Sequence, residues 1–313
     1  MTDGMDDLAC MAGVFNITPT PFHPDGSLDL PSVATLTRFL IDRGVHGLTI
    51  LGVLGEADKV SDEERAQVTA AVLEAADGRL PVCVGCTHAS TDRAVAFARL
   101  AERQGARAVM LAPPTLARAT DAALRRHYLS VAEAVTIPIV VQDHPASSGV
   151  LMSVDLLAGL ADEAPGCRFV KLEDEPSPPK IVRLLAANPR VRIFGGLGAI
   201  MCLEELRHGA TGLMTGFAFP EVLVAIYGRH ARGDADGAAE LFYRYCPLIR
   251  FETQPRINLQ LRKHVYQRRG AIASPHARAP AAEIDACTLD DLDDLLTRLE
   301  LGEVVTGEIR IDG

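Results

Sequence analysis

The run CRFVKLE (167–173) carries apolar side chains on both faces of an extended chain: Phe169 falls on one face with Lys171 and Glu173, Val170 and Leu172 on the other. A strand covered on both sides belongs to a parallel sheet packed under helices. Seven further short apolar runs flank it: GVFNITP (13–19), GLTILG (47–52), LPVCVGC (80–86), ARAVMLAPP (106–114), IPIVVQDHP (137–145), VRIFGGLG (191–198) and GLMTGFAFP (212–220). Successive starts lie about 20–35 residues apart, the length of one strand and its crossover helix.

The intervening segments have helical spacing. LPSVATLTRFLIDRG and STDRAVAFARLAERQG are amphipathic, and the second ends on Gly105, where a C-cap glycine belongs. SDEERAQVTAAVLEAADG opens with Ser61 and Glu64 in capping-box spacing and closes on Gly78. Eight such βα units predict a (β/α)8 TIM barrel over residues 13–230, with a doubly wound open sheet as the alternative. After Pro220 the strand signals stop. ADGAAELFYRYCPLIRFET, QPRINLQLRKHVYQRRG and TLDDLDDLLTRLE read as helices, the last with Thr288 as N-cap, and predict a small C-terminal helical domain over 231–313. SPHARAPAAE (274–283) reads as a surface loop. Residues 1–12 are acidic, with neither a basic n-region nor a long apolar run, and read as a flexible lead.

At 313 residues and 48% hydrophobic content the chain can bury a large core. A net charge of −10 opposes nucleic acid and anionic membranes, and no apolar stretch approaches the ~18 residues that span a bilayer. Seven cysteines, an odd number, fit thiols in a reducing compartment, so a soluble cytoplasmic protein is expected. CVGC (83–86) has C-x-x-C spacing, but residues three apart on a strand face opposite ways and no second ligand pair accompanies it. No metal site is expected.

Only four of the 31 basic residues are lysine: Lys59, Lys171, Lys180 and Lys263. Lys59 stands beside a helix start, Lys180 follows PSPP in a loop, and Lys263 lies in the C-terminal helices. Lys171 falls near the C-terminal end of the sixth strand, where barrel enzymes keep their chemistry. Desolvation there favours a lysine's free, nucleophilic amine, which arginine cannot supply. The plainer alternative is a structural ion pair with Glu173 or Asp174.

These landmarks resemble the dihydrodipicolinate synthase / N-acetylneuraminate lyase family. The order of βα units, a G-x-x-G-E turn after strand two, a proline-terminated strand five, the strand-six lysine and a three-helix tail carry the resemblance from about Gly13 to at least Ile272. It implies an imine between Lys171 and the ketone of a 2-oxo acid, no cofactor, and a homo-oligomer, tetramer or dimer. The departures are informative. Family G-T-T-G-E is here GVLGE, Gly52, Val53, Leu54, Gly55 and Glu56, so two hydroxyls are lost while backbone amides remain to bind a carboxylate. Thr115 stands where a strand-four tyrosine is usual, Gln142 replaces the strand-five tyrosine and Ser147 an arginine. With no phenol left for proton transfer, dihydrodipicolinate synthesis and sialic acid cleavage are not expected. QDHPAS, KLE and GATGLMTGFAFP resemble instead the 2-keto-3-deoxy sugar acid dehydratases, most closely those acting on 2-keto-3-deoxyarabonate.

The resulting expectation is a lyase in which the Lys171 imine acidifies C3–H, Glu173 moves a proton or orients the lysine, and Gln142 donates to the substrate across the barrel. Asp143 and His144 point alternately along the strand end, and one of them is a candidate second proton carrier. The 52–56 turn, Ser147, Gly195 to Gly198 with Gly196 among them, Thr215 and Gly216 would line the site. The glycine cluster admits a phosphorylated substrate as an alternative. An aldolase releasing pyruvate and a catalytically silent acid-binding barrel are the competing readings.

Overall fold

The computed structural model describes residues 11–115 and 119–301; the expected lead therefore lies outside the described residues except for Met11 and Ala12. Eight parallel strands close into a barrel in sequence order: Gly13–Ile17 (β1), Gly47–Ile50 (β2), Val82–Gly85 (β3), Ala108–Leu111 (β4), Ile139–Asp143 (β5), Phe169–Leu172 (β6), Arg192–Gly195 (β7) and Gly212–Thr215 (β8). Each lies inside one of the eight apolar runs. The helices are Leu30–Asp42 (α1), Asp62–Ala76 (α2), Thr91–Gln104 (α3), Asp121–Ala132 (α4), Pro145–Ser148 (α5), Val154–Glu163 (α6), Ser177–Ala187 (α7), Cys202–Arg207 (α8) and Pro220–Ala231 (α9), followed by Ala235–Glu252 (α10), Asn258–Arg268 (α11) and Ala286–Arg298 (α12). Among the described residues no helix is long and apolar enough to cross a membrane.

Local chemistry sets the helix ends. The Ser61/Glu64 capping box forms at α2, and Gly105 closes α3 at φ 102°. The Asp77 C-cap of α2 is itself left-handed at φ 49°, one residue before Gly78. At α12 the expected cap is displaced: Asp285 is the N-cap, its carboxylate accepting the Thr288 amide at 2.7 Å. Asp is as good a cap as Thr and sits three residues upstream, so the helix gains a turn.

Strand alternation divides the core in two. Phe15, Ile17, Cys83, Met110, Val140, Phe169, Phe194 and Met214 fill the barrel interior, while Val84, Val141, Val170, Leu172 and Leu213 face the helices. The faces read from CRFVKLE are therefore those observed. Cys83 points inward and Cys86 outward, on opposite sides of the sheet. Phe15 and Phe169 both contact Phe194, with centroids 5.2 and 6.4 Å apart, and build an aromatic floor beneath the next layer. That layer holds Lys171.

The segment 274–283 is a loop, as expected, and it is pinned to the barrel. Arg278 inserts between barrel and tail, donating to Gly26 O at 2.7 Å, Lys59 O at 2.8 Å and the Glu64 carboxylate at 2.6 Å.

Candidate active site

Residues 142 and 171 are register partners on β5 and β6, and both side chains point into the barrel mouth. Lys171 is 5% exposed, and its ammonium lies 2.9 Å from Glu173 Oε2. The Gln142 amide donates to the same oxygen at 2.8 Å, and His144 Nδ1 stands 4.0 Å from it. One carboxylate oxygen thus gathers a lysine, an amide and an imidazole. Burial alone would push the Glu173 carboxyl up; the Lys171 ammonium, the neighbouring His144 imidazole and the Gln142 and Lys171 hydrogen bonds outweigh it and hold the group below the ordinary glutamate value.

Gly196 belongs to the site by necessity: a Cβ there would lie 2.3 Å from Glu173 Cγ. Gly216 continues the inward face of β8 beyond Met214, and a Cβ on it would lie 2.8 Å from Leu54 Cδ1. The 52–56 turn rims the mouth. Val53 is exposed, and Leu54 packs on the interior cluster. Leu51 and Glu56 after β2, and Leu197 and Ala199 after β7, are non-glycine residues at positive φ, so left-handed backbone concentrates in the loops at this mouth.

Three residues expected at the site are directed elsewhere. Asp143 alternates with Gln142 and faces outward, where Lys180 donates to its carboxylate at 2.6 Å; burial pushes that carboxyl up to about 6 against the pull of Lys180. Thr215 alternates with Met214 and likewise lies on the outer face. Glu56 turns to the C-terminal helices, where it meets Lys263, accepts from Lys59 Nζ at 3.3 Å and takes the Arg278 amide at 2.9 Å. Its landmark position in the turn reflects this anchoring. Ser147 is exposed on α5, its hydroxyl donating to His144 O at 3.1 Å. With Gln142, Thr115 and Arg93 it lines a cleft of about 610 Å³ beside the mouth, over the loops after β2 to β5.

Lys180 is not in a loop. It lies buried on α7, donating to Asp143 at 2.6 Å, Asp174 at 2.8 Å and Met152 O at 2.8 Å. The two prolines before it occupy the first helical turn, where their missing amides cost nothing. Sequence reading passed over Arg262, which α11 carries to the loops after β7 and β8. The only local signal for it was the pair of glycines that make room there.

The dihydrodipicolinate synthetase family model matches residues 10–299. This chain belongs to that family. Its known members are lyases, and the named relatives bracket two chemistries. L-2-keto-3-deoxyarabonate dehydratase of Azospirillum brasilense is 34% identical over 293 residues, 92% of this chain and 94% of that protein. A 4-hydroxy-tetrahydrodipicolinate synthase of Methanosphaerula palustris is 30% identical over 277 residues, 88% of this chain and 94% of that one. The crystal structure of dihydrodipicolinate synthase from Rhodopseudomonas palustris superposes with a TM-score of 0.87 at 34% identity, covering 92% of this chain and 98% of that one.

Proposed function

We propose that this lyase forms an imine through Lys171 and dehydrates a 2-keto-3-deoxy sugar acid of the arabonate type. The observation that carries the reading is the shared Glu173 oxygen, 2.9 Å from Lys171 and 2.8 Å from Gln142, in a mouth with no phenol at the strand-five position. The Lys171 amine adds to the C2 ketone and water leaves; C3–H is then acidified, because the electron pair it leaves behind is taken up by the iminium. Glu173, held below the ordinary glutamate value, is ionised and receives that proton. The enamine expels the C4 hydroxyl, which departs as water after gaining a proton. His144, 4.0 Å from Glu173 Oε2, is the nearest candidate donor. Hydrolysis of the imine returns the lysine. Gln142 fixes the carboxylate and donates to the substrate. A homo-oligomer, tetramer or dimer, belongs to the same reading.

The second reading keeps the imine and breaks a carbon–carbon bond to release pyruvate; a synthase among the relatives means that the family holds more than one chemistry. Intact-mass spectrometry after borohydride reduction with pyruvate, and with 2-keto-3-deoxyarabonate, should give an adduct that Lys171→Arg abolishes. Products of unreduced turnover should keep every carbon and lose one water. Free pyruvate would transfer the assignment to the aldolase, and no adduct with either acid would sink the imine altogether.

A further inference from the structure

Arg262 is a cation built into the barrel mouth with most of its donors unused. The residue is 3% exposed, and its one described partner is Glu252, whose Oε2 lies 3.5 Å from Nε without completing a hydrogen bond. Oε2 already accepts the Ala218 amide at 3.1 Å. Burial pushes the Glu252 carboxyl up to about 7 against the pull of Arg262, so the pair is incompletely neutralised from within. A guanidinium stays protonated under these conditions, and its Nη1 and Nη2 donors, without partners among the described residues, are free to take an acceptor that enters the mouth.

The open end points at the turn that lost its hydroxyls. Nη1 would lie 3.3 Å from a Cβ at Gly216, the same position that would meet Leu54 Cδ1 at 2.8 Å, and Nη2 would lie 3.6 Å from a Cβ at Gly198. Two glycines at the ends of β7 and β8 thus clear a path from α11 to the flank of Leu54. Within the turn, the amides of Gly55 and Ala57 return to Gly52 O, and that of Glu56 to Val53 O. The Val53 and Leu54 amides donate to no acceptor among the described residues.

We propose that Arg262 binds the C1 carboxylate of the substrate together with the Val53 and Leu54 amides. A planar fork of N–H donors matches a carboxylate in shape and charge, and supplies what Val53 and Leu54 cannot offer as side chains. The assignment rests on the Lys171 imine, which puts a ketone, and hence the adjoining carboxylate, in this mouth. It also makes the C-terminal helices part of the substrate site.

The test measures how borohydride-trapped adduct at Lys171 depends on the concentration of pyruvate, its neutral methyl ester, and 2-oxoglutarate, which adds a distal carboxylate. Arg262→Met is combined with Glu252→Gln so that no buried carboxylate is stranded; Glu252→Gln alone controls for folding, and Arg262→Lys asks whether charge alone rescues. The double variant should need about 10–100-fold more pyruvate for half-maximal trapping, with the ester little changed and Lys restoring part of the loss. Weakening confined to 2-oxoglutarate would move Arg262 to a distal carboxylate and overturn the C1 assignment. Unchanged pyruvate dependence in the double and Lys variants would overturn it outright. An absence of wild-type adduct would instead remove the imine on which it rests.

Discussion

Lys171 and Lys263 are both buried, both stand beside a glutamate of a family landmark, and only one is suited to react. Lys263 is wholly enclosed between turn and tail: it meets Glu56, donates to His276 O at 2.7 Å and lies 4.7 Å above the Phe22 ring. Burial pulls its ammonium down to about 8 against the attraction of Glu56, yet no space adjoins it for a ketone. Lys171 has one described partner, Glu173, and faces the open mouth. Lys180 has three acceptors for its three N–H groups, and Lys263 has two acceptors and the face of Phe22. Burial alone does not set the proposed imine-forming lysine apart; unfilled donors and access do.

The largest expected effect breaks the comparison at Lys171. Lys171→Arg keeps charge and approximate bulk but forms no useful imine, so turnover should fall by more than about 10⁴-fold with the melting temperature little moved. Lys263→Met should do the reverse. It leaves Glu56 with Lys59 and the Arg278 amide alone, and should cost about 3 kcal/mol in denaturant unfolding, while protein that remains folded still traps pyruvate. Equal loss of trapping in the two variants would erase the distinction drawn between them.

Glu173→Gln sharpens the assignment of roles at the mouth. Trapping should survive, because the amine remains, while turnover falls by about 10²-fold, because the proposed base is gone. The wild-type rate should carry an acid limb below the ordinary glutamate value: a depressed pKa keeps the base ionised above it, and activity is lost as pH falls through it. An acid limb near neutrality would assign the base to another group, His144 first.

How much of this was legible in the sequence follows from the range of each signal. Strand alternation is local, so CRFVKLE placed Lys171 and Glu173 inward, and Val170 and Leu172 outward, correctly. The same rule placed Asp143 and His144 on alternate sides of the end of strand five, and the structure turns Asp143 outward and brings His144 toward Glu173; applied to β8 it would have turned Thr215 away from Met214, but Thr215 was read as following the strand. Glu56 was misread for a different reason. Its partners Lys263 and Arg278 lie more than 200 residues along the chain, and nothing in GVLGE announces them. Arg262 is hidden in the same way, since its neighbours Gly198 and Gly216 belong to other elements.

Glu205 extends the comparison from cations to carboxylates and gives the smallest expected effect. Where Glu56 has Lys263, Lys59 and the Arg278 amide, Glu205 has one neutral donor, the Ser177 hydroxyl at 2.6 Å, and a second oxygen buried without a partner. Burial pushes its carboxyl up to about 7, with Ser177 opposing and Glu173 adding to the rise. A carboxyl raised on folding is held protonated in the native state, so its contribution to stability is present below the unfolded value and is lost as pH climbs toward 7. Glu205→Gln keeps the acceptor for Ser177 and has no proton to lose. The variant should therefore match wild type near pH 5 and exceed it by about 1–2 kcal/mol near pH 8, compared by denaturant unfolding at the two values. A variant less stable at both would mean that the buried oxygen is satisfied as a charge, and that the contrast between Glu56 and Glu205 lies in geometry alone.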